Sequence, residues 1–406
     1  MFPGGTSAVR TDERVATRSD EQTALVPGAD GRPPTRFRRA GAMAQADPMT
    51  QQSSLPIDAG LDAPLAPGEF APEVTYLNTA SLGLPPQRSL AALQASLEQW
   101  RAGTAAPPDY DEVLSRARAS YAALVNVDPG TVAVGSQVSV FAGLVAASLP
   151  EDSEVLAVAG EFTSVVFPFL AQQRRGVRVR EVPLDELAGA VTARTALVAV
   201  SAVQSADGRL ADLDALTQAC AATGTRVLLD TTQATGWLPV DAGRFAYTTG
   251  GGYKWLLASR GTCFFTVAPD LMDELVPHTA GWYAGADRWD SLYGGPLRLA
   301  PDARRFDVSP AWHPWVTQAP ALELLAGIGT PALQAHAVGL ANRFRAGVGL
   351  AAGDSAIVSV AADDSARARL QAAGVLASVR AGRVRLAFHL YNTAPDADLA
   401  AAALTG

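Results

Sequence analysis

Apolar segments of two kinds alternate along most of this chain. Strands are predicted at residues 132–134, 154–158, 177–183, 196–200, 226–229, 247–249 and 262–267, and most of them are short, largely apolar runs. Between them, residues 163–173 and 212–223 carry apolar positions three and four apart, which is typical of amphipathic helices. Unbroken apolar strands that alternate with helices indicate a mainly parallel sheet covered by helices on both faces. The pattern therefore predicts an α/β fold.

Both ends of this alternating region carry further elements. Two amphipathic helices are predicted before it, at 87–102 and 110–125, separated by a break at Pro107 and Pro108. The apolar positions of the first helix, expected in the core, are Leu90, Leu93, Leu97 and Trp100. The C-terminal residues predict a small α+β unit, with strands at 357–360, 375–379 and 384–390 and helices at 364–373 and 395–404.

The first part of the chain differs from the rest in composition. Residues 1–65 carry arginines among Pro, Gly, Thr and Asp, without apolar periodicity. Such a segment buries too little apolar surface to offset the entropy cost of ordering, and it lacks the apolar stretch of a secretory signal. We expect a disordered extension at 1–65, with translation beginning at Met43 or Met49, a large domain at 66–335 and a small C-terminal domain at 336–406.

Composition narrows the functional classes. A net charge of −8 without a basic patch argues against nucleic acid binding, and no apolar run reaches the length of a membrane span. The chain has two cysteines without a CxxC spacing and four histidines without metal-ligand spacing. This usage fits a reduced, cytoplasmic protein without a metal site.

Lys254 is the only lysine in the chain, because the other 31 of the 32 basic side chains are arginine. It lies in GGGYKWL at residues 250–256, after a predicted strand. Arginine stays protonated, whereas a desolvated lysine can become a nucleophilic amine that forms a Schiff base, above all with pyridoxal phosphate (PLP). A surface lysine without a function remains the alternative at this point.

Three other features fall where the carboxyl ends of parallel strands should meet, as ligand sites do in such sheets. Ser136 and Gln137 lie between a strand and a helix, where small polar groups can hold a phosphate at the helix N-terminus. Asp230 ends an apolar strand, and a buried carboxylate needs a partner such as a protonated pyridine nitrogen. Gln233 follows three residues later. Loop chemistry and helix capping are the alternative explanations.

Arg385 is the fourth feature. Arg383 and Arg385 alternate on one face of a predicted strand whose other face is apolar. A planar guanidinium binds a carboxylate through two parallel hydrogen bonds, so Arg385 is a candidate for the α-carboxylate of a substrate. A solvated strand face would show the same pattern.

Taken in order, these pieces resemble the aminotransferase class V family of PLP-dependent enzymes, which have PLP fold type I. The family includes cysteine desulfurases, kynureninase and isopenicillin N epimerase. The matching pieces are YLNTASLG at 76–83, GSQVS at 135–139, DTTQ at 230–233, GYK at 252–254, and Arg385 with YNT at 391–393. The resemblance implies a mainly parallel seven-stranded sheet, a small C-terminal α+β domain and a homodimer.

The resemblance also implies roles for single residues. Lys254 would bind PLP as a Schiff base, Asp230 would pair with the pyridine nitrogen, and Gln233 would reach the phenolic oxygen. The phosphate would be bound by Ser136 and Gln137. Phe162 occupies the position of the ring-stacking residue, which is His in desulfurases, so this chain is closer to kynureninase there. The substrate-binding residues implied are Arg385, Ser205 and Asn78.

Departures from the family bear on the reaction. Residues 377–382 hold no counterpart of the nucleophilic cysteine of desulfurases, and Cys263 lies in an apolar run, so persulfide chemistry is disfavoured. Gly251 replaces a common phosphate-binding serine, and Tyr253 replaces the histidine that precedes the lysine in desulfurases. Further candidates for the substrate pocket are Trp312, His313 and the turn at residues 281–283, with loop packing as the alternative.

Several functions are consistent with these residues. The leading hypothesis is a transaminase-like PLP enzyme that acts on an amino acid or amine. A PLP-dependent Cβ lyase or an epimerase is the alternative within the class. Outside it stand a non-catalytic PLP-fold regulator or binding protein and an α/β protein that binds a sugar or nucleotide without PLP.

Overall fold

Residues 60–406, which this computed structural model describes, contain twelve β-strands and nine α-helices. The strands are β1 (Thr75–Tyr76), β2 (Val132–Gly135), β3 (Glu154–Val158), β4 (Arg178–Val182), β5 (Thr195–Ser201), β6 (Arg226–Asp230), β7 (Tyr247–Gly251), β8 (Cys263–Val267), β9 (Ile357–Val360), β10 (Val375–Leu376), β11 (Ser378–Arg380) and β12 (Arg383–Ala387). The helices are α1 (Gln87–Ala102), α2 (Pro107–Leu124), α3 (Val138–Ser148), α4 (Thr163–Leu170), α5 (Leu213–Thr223), α6 (Trp312–Ile328), α7 (Thr330–Gly347), α8 (Asp364–Ala372) and α9 (Ala394–Thr405).

A seven-stranded sheet with the order β2-β8-β7-β6-β5-β3-β4 forms the centre of the fold. Its pairs are parallel except for those that β8 makes with β2 and β7. Both faces are buried, since Leu197 and Ala199 of β5 pack in the same apolar cluster as α3 and α4, whereas Val198 and Val200 pack in the cluster that includes α5. The predicted mainly parallel sheet with helices on both faces is confirmed.

The C-terminal residues form a separate three-stranded antiparallel sheet with the order β11-β12-β9. The predicted strand pair at 375–379 and 384–390 was wrong in detail, because residues 375–376 pair with β1 and only residues 378–380 pair with β12. Ala381 and Gly382 both have positive φ, the conformation of a tight hairpin turn. The division into domains at 66–335 and 336–406 stays a prediction.

The N-terminal end of the packed chain lies earlier than the sequence indicates. The extension predicted at 1–65 lies outside the described residues except for 60–65. In that short piece Leu61 is buried in the apolar cluster of α7 and α9, and its carbonyl accepts a hydrogen bond from the Ala394 N–H. The sequence pattern placed the start of the large domain at residue 66, because a single buried leucine has no periodicity that could reveal an earlier start.

Helix ends differ from their predicted positions where proline is present. Helix α2 begins at Pro107 rather than at 110, because the first turn of a helix has N–H groups without intrahelical partners and proline fits there. Helix α4 ends at Leu170 rather than at 173 and contains Pro168.

The apolar face of α1 contradicts the sequence prediction. Leu90, Leu97 and Trp100 were expected in the core, but 43%, 42% and 66% of their surfaces are exposed. The buried residues of α1 are Ser89 and Ser96, and the Ser89 hydroxyl donates to the Thr317 carbonyl of α6. Periodicity identifies the apolar side of a helix but not what lies against it, and here α6 packs against the small side chains.

Helices long and apolar enough to cross a membrane were sought among residues 60–406. No single helix there meets both criteria. Helices α6 and α7 meet them only as a pair, and they are bent by 86° relative to each other.

A buried ion pair connects α2 to the edge of the sheet. The Arg118 guanidinium donates to the Asp307 carboxylate at 2.7 Å, and Asp307 also accepts from the Val134 N–H of β2 at 2.8 Å. The Arg118 and Asp307 side chains are only 8% and 0% exposed. Removing one member therefore leaves an uncompensated charge in a dry environment.

Replacement of Arg118 by methionine is expected to lower the free energy of unfolding by about 3–5 kcal/mol, measured by urea denaturation. Arg116→Met is the matched control, because Arg116 lies on α2 two residues before Arg118. Arg116 pairs with Glu323 at the surface, where 47% and 40% of the two side chains are exposed. That control should change stability by less than about 1 kcal/mol. Equal effects of the two variants would contradict the importance of the buried pair.

Candidate active site

One pocket lies at the carboxyl ends of the parallel strands. Its lining comes from the β2–α3 loop, the start of α4 and the segments after β5, β6 and β7. The lining residues are Ser136, Gln137, Val138, Phe162, Ser164, Ser201, Ser205, Asp230, Thr232, Gln233, Gly251, Tyr253, Lys254 and Arg260. Seven of the nine predicted site residues are among them; Arg385 and Asn78 are not. The sheet topology thus brings together residues spread over more than a hundred positions of the chain.

Lys254 lies shortly after β7, and only 5% of its surface is exposed. Burial lowers the pKa of Lys254 to about 8, the Asp230 carboxylate opposes this effect, and the charge of Arg385 adds to it. Nζ lies 5.4 Å from the centre of the Phe162 ring and 5.6 Å from that of Tyr253. Within residues 60–406 this amine has no carboxylate in ion-pair contact. A lysine so placed yields its proton more readily than one in water.

The segment that carries Lys254 is held by close backbone contacts. The Gly83 N–H donates to the Tyr253 carbonyl at 2.9 Å, and a Cβ on Gly83 would lie 1.9 Å from the Lys254 carbonyl oxygen. Only glycine allows this approach, which explains the last residue of the YLNTASLG motif. On the other side, the Trp255 indole N–H donates to the Gln233 side-chain oxygen at 2.8 Å.

Asp230 ends β6 and faces the pocket with 4% of its surface exposed. Its carboxylate accepts from the Thr232 N–H at 2.8 Å, and no ion pair with a cationic side chain is found in the described part of the chain. Burial raises the pKa of Asp230 to about 6, with a further contribution from the charge of Glu161. A buried carboxylate without a cation fits a ligand that brings a protonated nitrogen.

Gln233 is engaged with protein groups. Its side-chain nitrogen donates to the Ala80 carbonyl at 3.0 Å and to the Ser205 hydroxyl at 3.1 Å. Together with the bond from the Trp255 indole, the Gln233 side-chain amide therefore makes three hydrogen bonds, all of them to protein groups. The predicted contact with the phenolic oxygen of PLP stays a prediction, and it requires one of the two donated bonds to be exchanged.

The pocket also carries groups suited to a phosphate, which together are called the phosphate wall. Ser136 and Gln137 directly precede α3, and the Gln137 side chain makes no capping hydrogen bond to that helix. The Thr232 hydroxyl accepts from the Gly251 N–H at 3.0 Å, so Thr232 stands beside the glycine that replaces the common serine. Helix N-termini and hydroxyl groups favour anions, so this wall fits the phosphate.

Arg260 lines the pocket and Glu161 contacts the lining residue Ser201, and neither was among the residues predicted from sequence. The Arg260 guanidinium lies 5.3 Å from the Tyr253 ring centre and lines the pocket, but one arginine among 31 carries no signal of its own. The Glu161 carboxylate is buried and accepts from the Ser201 N–H at 2.8 Å and hydroxyl at 2.6 Å. The reasoning that singled out Asp230, an acid near the end of an apolar strand, would have found Glu161.

Arg385 adjoins the pocket through Ser205. Its guanidinium is 1% exposed and donates to the Ser81 hydroxyl at 2.8 Å and to the Ser205 hydroxyl at 3.2 Å. Its Nε has no hydrogen-bond partner in the described residues. Burial lowers the pKa of Arg385 to about 10, and the charge of Arg380 lowers it further. The backbone of Asn78 forms an isolated parallel bridge with Ala387 of β12, and the buried side-chain oxygen of Asn78 has no hydrogen-bond partner within residues 60–406.

The remaining candidates lie elsewhere. Trp312 stacks on Tyr110 with ring centres 4.6 Å apart, and His313 contacts Trp100, so neither lines the pocket. Tyr283 donates to Asp111 at 2.5 Å and is likewise outside it. These residues pack against other side chains, which agrees with the alternative given for them. Cys263 is buried in β8, and burial raises the pKa of its thiol to about 12, in agreement with a core position.

Comparison with known proteins identifies the family. The model of the family described as aminotransferase class-V matches residues 76–367. The chain belongs to the aminotransferase class V family. Its cofactor is therefore PLP, and Asp230, Lys254 and the phosphate-type wall fit that group. An α/β protein that binds a sugar or nucleotide without PLP is excluded as an explanation.

Relatives within the family differ in activity. The isopenicillin N epimerase of Streptomyces clavuligerus is 30% identical over 306 residues, covering 68% of this chain and 74% of that protein. The kynureninase of Deinococcus radiodurans is 31% identical over 253 residues, covering 58% and 61%. The solved structure of the cystine C-S lyase C-DES superposes with a TM-score of 0.74 at 21% identity, covering 82% of this chain and 97% of that one. These likenesses confirm PLP fold type I.

Proposed function

We propose that this protein is a PLP-dependent enzyme that transaminates an amino acid. The supporting observation is that the buried Lys254 amine and the Asp230 carboxylate line one pocket, which Arg385 adjoins through its hydrogen bond to Ser205. An amine that can lose its proton, a carboxylate for a pyridine nitrogen and a clamp for a substrate carboxylate are the groups that amino-acid chemistry with PLP requires.

Each residue has a defined task in this proposal. When bound, PLP supplies an electron sink for the electron pair left by bond breaking at the substrate Cα. Lys254 would hold the cofactor through Nζ, and its amine would serve as the general base that moves the Cα proton. Asp230 keeps the pyridine nitrogen protonated. Arg385 binds the α-carboxylate, and Phe162 covers the ring.

Transamination needs the fewest groups among the candidate reactions. A single base would suffice, because one amine can both remove the Cα proton and deliver it again. The pocket lining given above contains no Cys and no His. Lys254 is therefore the lining residue best suited to carry the proton. A persulfide route would require a thiolate.

A lyase or an epimerase is the second candidate, supported by the names of the relatives and by Tyr253. The Tyr253 ring lies beside the Lys254 amine, and burial raises the pKa of its hydroxyl, so the phenol stays protonated and can donate a proton. Epimerisation needs a donor on the other face of Cα, and elimination needs one for the leaving group. A non-catalytic regulator is the third candidate. Turnover of any amino acid by the protein would exclude it.

Product analysis separates these reactions. The holoenzyme is incubated with single amino acids in deuterium oxide, with and without a keto-acid acceptor. Transamination predicts one equivalent of keto acid per active site without acceptor and continuous turnover with it. Continuous release of pyruvate or alanine without acceptor would indicate a lyase. Inversion at Cα with deuterium incorporation and no keto acid would indicate an epimerase. Either result would contradict the transaminase proposal.

A homodimer and a cytoplasmic location stay predictions. The exposed apolar face of α1, formed by Leu90, Leu97 and Trp100, is a surface that a second copy of the chain would cover. Exposed apolar side chains also occur at Tyr293 and Leu297, with 88% and 74% of their surfaces accessible. Patches of this kind are typical of interaction surfaces.

A further inference from the structure

Two arginines converge on one serine hydroxyl next to the pocket. Arg385 donates to the Ser81 Oγ at 2.8 Å, and Arg380 donates to the same atom at 3.3 Å. Neither guanidinium forms an ion pair with a carboxylate among residues 60–406. Two like charges held close together without a counter-ion are unfavourable, so the arrangement suits an anion that is supplied from outside the chain.

The β11–β12 hairpin explains why Arg380 reaches this position. Arg380 pairs directly with Arg383 across the tight turn, and Ser378 pairs with Arg385. Directly paired residues share one face of a sheet, so the three arginines lie on the same side. Their partners differ, because Arg383 donates to the hydroxyl and carbonyl of Ser359, whereas Arg380 bends towards Ser81.

Arg380 is free to bind a ligand. Its other hydrogen bond goes to the carbonyl of its neighbour Val379, and its side chain is exposed. Its charge lowers the pKa of both Arg385 and Lys254. Arg380 therefore acts on the carboxylate clamp and on the reactive amine, although it does not line the inner pocket.

Arg385 has enough hydrogen-bond donors to bind one carboxylate without a contribution from Arg380. Among residues 60–406 its Nε has no hydrogen-bond partner and its Nη2 donates only to a hydroxyl, so one edge of the guanidinium can take a carboxylate through two bonds. Arg260 lines the same pocket as Ser136 and Gln137, so a cation other than Arg380 is available for a phosphate. Arg380 is therefore available to bind a second anionic group of the substrate, in addition to the α-carboxylate bound by Arg385.

We propose that Arg380 binds an acidic group on the side chain of the substrate, which is therefore a dicarboxylic amino acid or an amino acid with an equivalent anionic side chain. The proposal rests on the proposed function, in which Arg385 binds the α-carboxylate. Arg380 then acts as a specificity-determining residue, since an uncharged side chain would leave its guanidinium without an anion.

Binding of unreactive acids to the holoenzyme tests this assignment. Dissociation constants are measured by calorimetry for glutarate and for valerate, which have equal chain length but two carboxylates and one. The wild-type protein should bind glutarate about 10-fold more tightly, the gain expected from one charged hydrogen-bonded contact. Arg380→Gln should weaken glutarate binding about 10-fold and valerate binding less than about 2-fold.

Arg383→Gln is the matched control, with the same loss of charge on the same hairpin, and it should leave both constants unchanged. Unchanged valerate binding by Arg380→Gln also shows that its site is intact. Equal weakening of both acids by Arg380→Gln would mean that Arg380 shares the α-carboxylate, and no weakening would mean that it binds neither; both results overturn the proposal. So does a wild-type protein without preference for glutarate.

A different variant tests the role of Arg385 in the proposed function, independently of Arg380. Arg385→Gln should weaken glutarate and valerate binding alike, by about 10-fold or more. Unaltered valerate binding in that variant would refute the role of Arg385 in the proposed function, whatever Arg380 does. Loss of valerate binding in Arg385→Gln, together with a selective loss of glutarate binding in Arg380→Gln, supports both assignments.

Discussion

Replacement of Lys254 by alanine is expected to lower kcat by at least about 100-fold and to abolish the covalent attachment of PLP. The variant loses the amine that forms the Schiff base and the base that faces the substrate Cα. Lys254→Arg should be as inactive, because a guanidinium stays protonated and cannot attack a carbonyl carbon. Turnover numbers and visible spectra of the two variants measure the effect.

The chain offers a clean background for this comparison, because it has no second lysine. A small amine such as methylamine, added to Lys254→Ala, should restore part of the activity by carrying the proton in place of the side chain. Such rescue would distinguish a lost base from a distorted pocket. Full activity of Lys254→Arg would refute the proposed role.

The reactivity of Lys254 should also depend on pH in a defined way. The unprotonated amine is the nucleophile, and burial lowers its pKa to about 8. The rate of PLP attachment to the cofactor-free protein should therefore rise with pH and reach half its maximum near pH 8, rather than near 10.5 as for a solvated lysine. Stopped-flow absorbance measures this rate. A midpoint near 10.5 would contradict the buried position of the amine.

Replacement of Asp230 by asparagine is expected to lower kcat by about 100-fold or more while PLP remains attached to Lys254. Asparagine keeps the size of the side chain but not its negative charge, so the pyridine nitrogen would lose its proton. Removal of one electrostatic group aimed at developing charge typically costs about 100- to 1000-fold. Steady-state kinetics measure the loss, and the visible absorbance reports the attachment.

The cofactor-free protein supplies a second test of Asp230. Burial raises the pKa of this carboxyl from 3.8 to about 6, so the folded state holds its proton more tightly than the unfolded state does. As pH rises through this range, the charge of Asp230 becomes a growing cost to folding. Relative to wild type, cofactor-free Asp230→Asn should gain stability between pH 4 and 6. Equal stability of the two proteins at each pH would contradict this account.

The residues that could be predicted from sequence are those whose local context carries the chemistry. Asp230 follows an unbroken apolar run, so its burial and its need for a partner follow from the strand itself. Lys254 stood out because it has no equal in the chain. Most strands of the seven-stranded sheet were predictable for the same reason, since they are buried and appear as apolar runs, whereas the edge strand β4 mixes apolar and charged residues and is only partly buried.

Residues whose role depends on distant partners could not be found in this way. The Gln233 amide is occupied by Ala80, Ser205 and Trp255, three contacts that only the folded chain brings together. Arg380 is one of many arginines, and its importance comes from sharing a hydroxyl with Arg385.

Capture of the Schiff base by borohydride tests the central assignment most directly. The native holoprotein is reduced, and its intact mass and peptides are compared with those of reduced Lys254→Ala. The account predicts one pyridoxyl phosphate group per chain, on the peptide that contains Lys254, and none on the variant. A holoprotein that takes up no label, or a variant that is labelled as fully as the wild type, would contradict it.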